Sequence, residues 1–153
     1  MSIRVLLSSK HKVVSEGIAA VLRTHPDMNL VGIAENTERT QALCDEVDPD
    51  VLLVGIHSHD SQELDLMQRM SHRDSPQNIV AYSSESDRNS IIEILDAGAK
   101  GYVSTTSSID ELMSAIRSAA LGRAYLCQSA ATEMMESVRK SRAGDITVRS
   151  HLG

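Results

Sequence analysis

The sequence predicts an α/β fold in which five parallel strands, in the order 2-1-3-4-5, form a doubly wound sheet between helices. Short runs rich in β-branched residues alternate with segments of helical periodicity, which is the pattern of βαβ units. The run at 51–54 is apolar without alternation, as expected of a central strand buried on both faces. Five strand and helix pairs follow one another in strict alternation, and right-handed crossovers then give this strand order.

Each element is predicted from its own residues. The predicted strands are 3–7, 29–34, 51–54, 79–82 and 101–103. The predicted helices are about 12–25, 37–48, 62–70 and 87–97, with a fifth that begins after Ser108. The segment Glu35-Asn36-Thr37 is expected to cap the second helix and Ser108 the fifth, and Gly98 is expected to follow the fourth helix as its C′ residue. The predicted inward-facing residues include Val13 and Ile18, Ile92, Ile109 and Ile116.

The pattern changes after Gly122, and we divide the chain into a domain at 1–127 and a linker helix with a tail at 128–153. Ala124 to Cys127 is a brief apolar stretch, and Ser129 is expected to cap a sixth helix that ends near Lys140. Its apolar side carries Ala131, Met134, Met135 and Val138. The segment 139–149 is mildly basic and lacks periodicity, so it is predicted to be a solvated tail.

Composition excludes several classes of function. The net charge of −6 and pI near 5.4 lack the basic surface of a DNA-binding domain, so this part of the chain should not hold DNA by itself. With no Trp, no Phe and three Tyr, stacking platforms for bases or flavins are scarce. Cys44 and Cys127 are predicted to be buried and reduced. No apolar stretch has membrane-spanning length, and we expect a soluble, cytoplasmic protein.

Four segments resemble the receiver domain of two-component response regulators, most closely the receivers of LuxR/NarL/FixJ-type transcription regulators. They read IRVLLSSKHKVVSEG, DPDVLLVG, IVAYSS and DAGAKGYVST, and the resemblance covers residues 3 to about 127. It implies a flavodoxin- and CheY-like fold, here with an extra C-terminal helix. It also implies a site at the carboxyl ends of the strands.

The resemblance implies that this site has lost the groups of the phosphorylation chemistry. Gly55 matches the aspartate that receives the phosphoryl group, and it has no side chain to attack with. Ser9 and Lys10 match the acidic pair that holds Mg²⁺, and Thr105 matches the lysine at the end of strand five. The hydroxyl at the switch position remains as Ser83, and the strand-five aromatic remains as Tyr102. We therefore expect no catalysis, no metal and no cofactor.

Other chemistry near the site is weakly supported. His57, His59 and Asp60 offer two imidazoles in one loop without a fixed third partner, so a zinc site is disfavoured. Asp60 and Glu63 are interpreted as helix-capping residues. A catalytic serine–histidine pair, formed by Ser8 or Ser9 with His11, is disfavoured because it would have neither an oriented acid nor an oxyanion loop. The first loop, SSKHK, has no phosphate-cradling glycine for a flavin.

These observations predict a phosphorylation-independent pseudo-receiver that works by homodimerisation. The resemblance implies that DNA is reached only through an absent C-terminal helix-turn-helix domain. It also implies the candidate dimer surface, which is the first and fifth helices or the face of helix four, strand five and helix five. Ile116, Met134, Met135 and Val138 are named as possible dimer residues, although the methionines could equally pack back on the sheet. Two alternatives stay open: a small anionic ligand near Ser9, Lys10, Ser83 and Thr105, and a stand-alone protein-interaction adaptor.

Overall fold

The computed structural model describes residues 2–57, 61–85 and 87–152, with the backbone alone described at 61 and 142–152. Strands and helices alternate throughout these ranges. The strands are β1 (Ile3–Ser8), β2 (Met28–Ala34), β3 (Val51–Ile56), β4 (Ile79–Ser83), β5 (Gly101–Ser104) and β6 (Tyr125–Leu126). The helices are α1 (Lys12–Arg23), α2 (Thr37–Val47), α3 (Ser61–His72), α4 (Arg88–Asp96), α5 (Ile109–Ala120) and α6 (Gln128–Leu152).

The strands form one parallel sheet in the order β2-β1-β3-β4-β5-β6. The predicted order of the first five strands is confirmed. The predicted strand number is corrected, because β6 adds a sixth strand through the pairs Gly101↔Tyr125 and Tyr102↔Leu126. A strand of two residues is too short to show the alternation by which strands are predicted from sequence.

The core has two halves, one on each face of the sheet. Val51 and Leu53 of β3 point into the half covered by α1 and α5, whereas Leu52 and Val54 point into the other half. The second half is covered by residues of α2, α3, α4 and the first turn of α6. A strand buried on both faces needs apolar residues at every position, which explains the unbroken run at 51–54. The two cysteines are free and buried, as predicted.

Caps of the expected kind begin three helices. The side chains of Asn36, Asp87 and Ser108 accept hydrogen bonds from first-turn amides of α2, α4 and α5. Such a side chain satisfies an amide that has no partner inside its own helix. Gly98 has a φ of +115°, and a Cβ there would come within 2.2 Å of Ser71 Oγ, so glycine is required after α4.

Three residues predicted to face inward lie on the surface instead. Val13 is 84% exposed and Ile109 is 52% exposed, and Ile92 is also partly exposed. Val13 and Ile92 each adjoin a residue that does pack inward, and neighbours on a helix point about 100° apart. Ile109 is the first residue of α5, before the helix settles against the sheet. Only a narrow stripe of each helix can therefore reach the core.

The sixth helix is longer than predicted. It begins at Gln128, and its backbone continues to Leu152 through the segment that was predicted to be a tail. Ala130 is buried and Met134 is packed against the core, whereas Met135 and Val138 are exposed. Within the described ranges, no helix is both long and apolar enough to cross a membrane.

Candidate functional site

The carboxyl ends of the parallel strands bring the predicted site residues to one edge of the sheet. Gly55 pairs with Tyr82, and Ser83 pairs with Ile56 on one side and with Ser104 on the other. The amide of Thr105 donates to the carbonyl of Ser83 at 3.0 Å. Parallel register alone therefore aligns the ends of β3, β4 and β5, as expected for a sheet of this topology.

The space beside Gly55 is occupied by neighbouring side chains. A Cβ at this position would lie 3.2 Å from Nε2 of His57 and 3.3 Å from Oγ of Ser9. Both distances are tighter than ordinary van der Waals contact. The position thus lacks a nucleophile, and an imidazole and a hydroxyl fill the place where a longer side chain would begin. Phosphoryl transfer to a side chain needs a nucleophilic group, and residue 55 supplies none.

A lysine and a glutamate form an ion pair at the edge of this site. Nζ of Lys10 lies 3.2 Å from Oε1 of Glu63 and donates a hydrogen bond to Oε1 of Gln62 at 3.2 Å. The Glu63 side chain is 5% exposed and that of Lys10 is 35% exposed. The other carboxylate oxygen of Glu63, Oε2, has no hydrogen-bond partner among the described residues. The ammonium therefore neutralises a buried carboxylate in the place where the resemblance implied a metal site.

The pairing corrects one interpretation made from the sequence. Glu63 was interpreted as a helix-capping residue, and its carboxylate instead pairs with Lys10. Sequence reasoning could have found the role of Glu63, because it shares one face of α3 with the buried residues Leu66, Met67 and Met70 at helical spacing. A carboxylate on a buried stripe needs a partner of opposite charge.

Two histidine rings pack together behind the pair. The ring centroids of His11 and His57 are 3.8 Å apart, with the rings inclined by 61°. Burial lowers the pKa of His57, and the nearby His11 and Lys10 lower it further, so the neutral imidazole is favoured. No group of three possible metal ligands occurs among the described residues. His59 and Asp60 of the disfavoured zinc site lie outside the described residues.

Ser83 and Tyr102 hold the loop that follows β4. Ser83 is fully buried, and its Oγ accepts a hydrogen bond from the amide of Glu85 at 3.1 Å. The hydroxyl of Tyr102, also fully buried, donates to the carbonyl of Glu85. Burial raises the pKa of Tyr102, which keeps the phenol protonated as a donor. The two side chains thus fix the loop by binding the amide and the carbonyl of the same residue, Glu85.

Thr105 faces a different part of the surface from Lys10. It is exposed and lines a groove of about 160 Å³ between α1 and α5, together with Gly17 and Ile109. Ser9 and Lys10 line a separate cleft of about 500 Å³ between the loops that follow β1 and β2. Thr105 therefore lines a different groove from Ser9 and Lys10 among the described residues, and the charge of Lys10 is already balanced by Glu63.

The residues predicted for a dimer surface separate into three groups. Ile116 is fully buried against the sheet, so its place on that surface is corrected. It belongs to the inward stripe of α5, where it contacts the core within its own chain. Met134 is partly buried against the core, as expected from the alternative in which the methionines pack back on the sheet. Met135 and Val138 are exposed and remain available to a partner.

A doubly wound parallel sheet with its site at the carboxyl ends of β1, β3, β4 and β5 defines a receiver-type domain. The chain belongs to the response regulator receiver domain family, which it matches over residues 5–117.

Two curated relatives are regulatory proteins, one a transcriptional regulator and the other a response regulator. The chain is similar to the transcriptional regulatory protein LiaR of Bacillus subtilis, at 30% identity over 91% of this chain and 66% of LiaR. It is similar to the nitrate/nitrite response regulator NarL of Escherichia coli at 25% identity over 91% of this chain and 64% of NarL. The chain thus spans slightly less than two thirds of these relatives.

Solved structures share the fold. A LuxR-family two-component response regulator from Aurantimonas superposes with a TM-score of 0.83 at 23% identity, covering 90% of this chain and 98% of that one. A structure of two RcsB dimers bound to two parallel DNAs has a TM-score of 0.78 at 17% identity and covers 88% of this chain and 69% of that one. At these identities the likeness concerns the fold alone.

Proposed function

We propose that the chain is the phosphorylation-independent receiver of a cytoplasmic bacterial transcription regulator, and that it acts by forming a homodimer that controls DNA binding through a further domain. The observation that supports the proposal is which side chains the site contains and which it lacks. Gly55 offers no nucleophile, and the Lys10–Glu63 pair places a cation where Mg²⁺ would need carboxylates. Without phosphoryl transfer, the remaining means of control for such a domain is association.

DNA binding enters the proposal through the relatives. LiaR is a transcriptional regulator and NarL a response regulator, both are longer than this chain, and RcsB has been solved as dimers bound to DNA. The net charge of −6 disfavours direct binding of this chain to DNA phosphates, so the proposal assigns those contacts to another domain. A homodimer of receivers would set the spacing between two such domains, which is the quantity that half-site recognition depends on.

Two surfaces compete for the dimer, and the arrangement of β6 and α6 favours one. Both elements pack on β5, and α6 also contacts α4, so the face of helix four, strand five and helix five is partly occupied within the chain. The α1–α5 face is open by comparison. Val13 and Ile109 are exposed there, and a Cβ at Gly17 would meet nothing within 4 Å. Exposed apolar residues around an open groove are features of an interface.

The association is tested by sedimentation velocity at micromolar concentrations. We expect a dimer for the parent chain and at least tenfold weaker association for Val13→Asp, because a buried charge opposes an apolar contact. Met135→Asp on α6 is the matched control, since it places the same charge on another exposed apolar residue. A monomeric parent chain at high concentration contradicts the proposal, and weaker association in the control alone moves the interface to α6.

The chemistry is tested separately with acetyl phosphate or beryllofluoride in the presence of Mg²⁺. We expect no change in mass and no change in sedimentation, because residue 55 has no side-chain carboxylate to accept the phosphoryl group. A phosphorylated species would overturn phosphorylation independence. The encoded sequence beyond Gly153 tests the link to DNA: a helix-turn-helix there supports transcription control, and its absence favours a protein-interaction adaptor.

A further inference from the structure

The first amide of α6 is capped by a carboxylate from another helix. Oε2 of Glu111, in the first turn of α5, accepts a hydrogen bond from the amide of Gln128 at 3.1 Å. The first turn of α6 contains no acidic residue of its own. Helix N-termini carry unpaired amides and a partial positive charge, so a carboxylate stabilises them whichever element supplies it.

The local sequence around Glu111 predicts a different hydrogen bond for this carboxylate. Ser108 and Glu111 have the S-x-x-E spacing of a capping box, in which the glutamate returns to the amide of the serine. Half of the box is present, since Ser108 Oγ accepts from the amide of Glu111 at 3.2 Å. Among the hydrogen bonds of the described residues, none joins the carboxylate to the Ser108 amide. The carboxylate lies close to two helix N-termini and binds the second.

The base of α6 is fixed, and the contacts weaken further along it. The amide of Cys127 donates to the carbonyl of Tyr102 at 3.0 Å, and the amide of Ala131 donates to that of Cys127 at 2.9 Å. In the second turn Met134 packs against the core, whereas Met135 and Val138 are exposed and a groove of about 180 Å³ lies between α6 and α4. The direction of the helix is thus determined mainly by its first two turns.

We propose that Glu111 is the positioning residue for α6: its carboxylate is a cap shared by two helices and sets the angle at which α6 leaves the sheet. The helix then acts as an arm anchored at Gln128, with β5 holding one side of its base through Cys127 and α5 holding the other through Glu111. This role does not depend on dimerisation or on phosphorylation. A change at Glu111 should loosen the arm while the receiver core stays folded.

Amide hydrogen exchange, measured by NMR on the full 153-residue chain, tests the assignment. In Glu111→Ala we expect exchange of the Gln128 amide to rise about tenfold, with a smaller rise to Ala131, because a hydrogen bond to a charged acceptor is lost. Glu111→Gln keeps an acceptor oxygen and should show about a threefold rise. Asp110→Ala is the matched control, since it removes the neighbouring acid of the same helix turn and should leave α6 exchange unchanged.

Equal effects of Asp110→Ala and Glu111→Ala on α6 would show a general effect of charge at α5 and would overturn the assignment. An unchanged exchange rate of the Gln128 amide in Glu111→Ala would also overturn the assignment. The parent chain provides a second measurement that needs no variant to fold. In the parent chain itself, the Gln128 amide should be protected from exchange by its hydrogen bond to Glu111. An unprotected Gln128 amide in the parent chain contradicts the proposal.

Discussion

Replacing Lys10 with methionine removes the ammonium that pairs with Glu63 while keeping an unbranched side chain of similar length. The carboxylate would then be buried without a partner for either oxygen, since Oε2 already has none among the described residues. A buried charge that loses its partner destabilises a protein strongly, more so than the pair itself stabilises it. We therefore expect Lys10→Met to be more destabilising than Glu63→Gln.

The separation of 3.2 Å between Nζ and Oε1 sets the size of the effect. Coulomb's law gives about 5 kcal/mol at an effective dielectric constant of ~20 and about 1.3 kcal/mol at ~80. Lys10 is 35% exposed and Glu63 only 5%, which places the pair between these limits. We expect Lys10→Met to lose ~2–3 kcal/mol of unfolding free energy. Glu63→Gln should lose ~1 kcal/mol, because the ammonium can turn toward water.

A double-mutant cycle by urea denaturation measures the pair directly. Lys10→Met with Glu63→Gln should be less destabilised than the sum of the two single changes, with a coupling energy of ~1–2 kcal/mol. The control cycle uses Arg73 and Asp45, whose atoms are closer at 2.6 Å but whose aspartate is 65% exposed. That cycle should give less than ~1 kcal/mol. Equal coupling in the two cycles would refute the argument that burial of Glu63 governs the strength of the pair.

Three further outcomes are expected. Gly55→Asp alone should not take up phosphate from acetyl phosphate, as mass spectrometry would show, because Lys10 still opposes Mg²⁺ binding. Burial lowers the pKa of His57, and the nearby His11 and Lys10 lower it further. The neutral His57 ring therefore contributes fully to stability above the pKa of about 6.5 of the unfolded chain, and this contribution is lost as the pH falls through the pKa of the folded protein. His57→Asn should therefore flatten the loss of stability on acidification below about pH 6.5, and an unchanged slope contradicts this. The hydrogen bonds from Arg117 lower the pKa of Asp27, so that contribution is present above about pH 4 and is lost below it. Asp27→Asn should remove this acid-dependent loss in denaturation curves, and a curve identical to that of the parent chain would rule it out.

The sheet could be predicted from sequence because its central strands are buried on both faces. Residues 51–54 show this as an unbroken apolar run, and the helices between strands show a separate periodicity. The predicted order of five strands follows from these signals and the handedness of the crossovers. The sixth strand could not be found in this way, since two residues carry no period.

The sequence shows which groups the site has lost and that Ser83 and Tyr102 are kept, but it does not show how the remaining side chains are arranged. The absence of a carboxylate at Gly55 is visible in the sequence, whereas the approach of Ser9, from the loop after β1, depends on the fold. Lys10 and Glu63 meet only when α3 packs beside the loop after β1. The shared direction of Glu63, Leu66 and Met70 on α3 was the available signal for its burial. Exposure of Val13 and Ile109 depends on how each helix is rotated against the sheet, which periodicity fixes only within about one residue.

The two-residue strand β6 bears on solubility as well as on topology. An edge strand with many unpaired backbone groups is a template for pairing with another chain, and short edge strands limit that risk. Here β6 covers the edge of β5 at Gly101 and Tyr102 and itself offers only two residues to solvent on that side. A fragment that ends before Tyr125 would uncover β5, so it should aggregate more readily than a fragment that retains residues through Cys127. The predicted boundary at 127 therefore coincides with the point at which the sheet edge is protected.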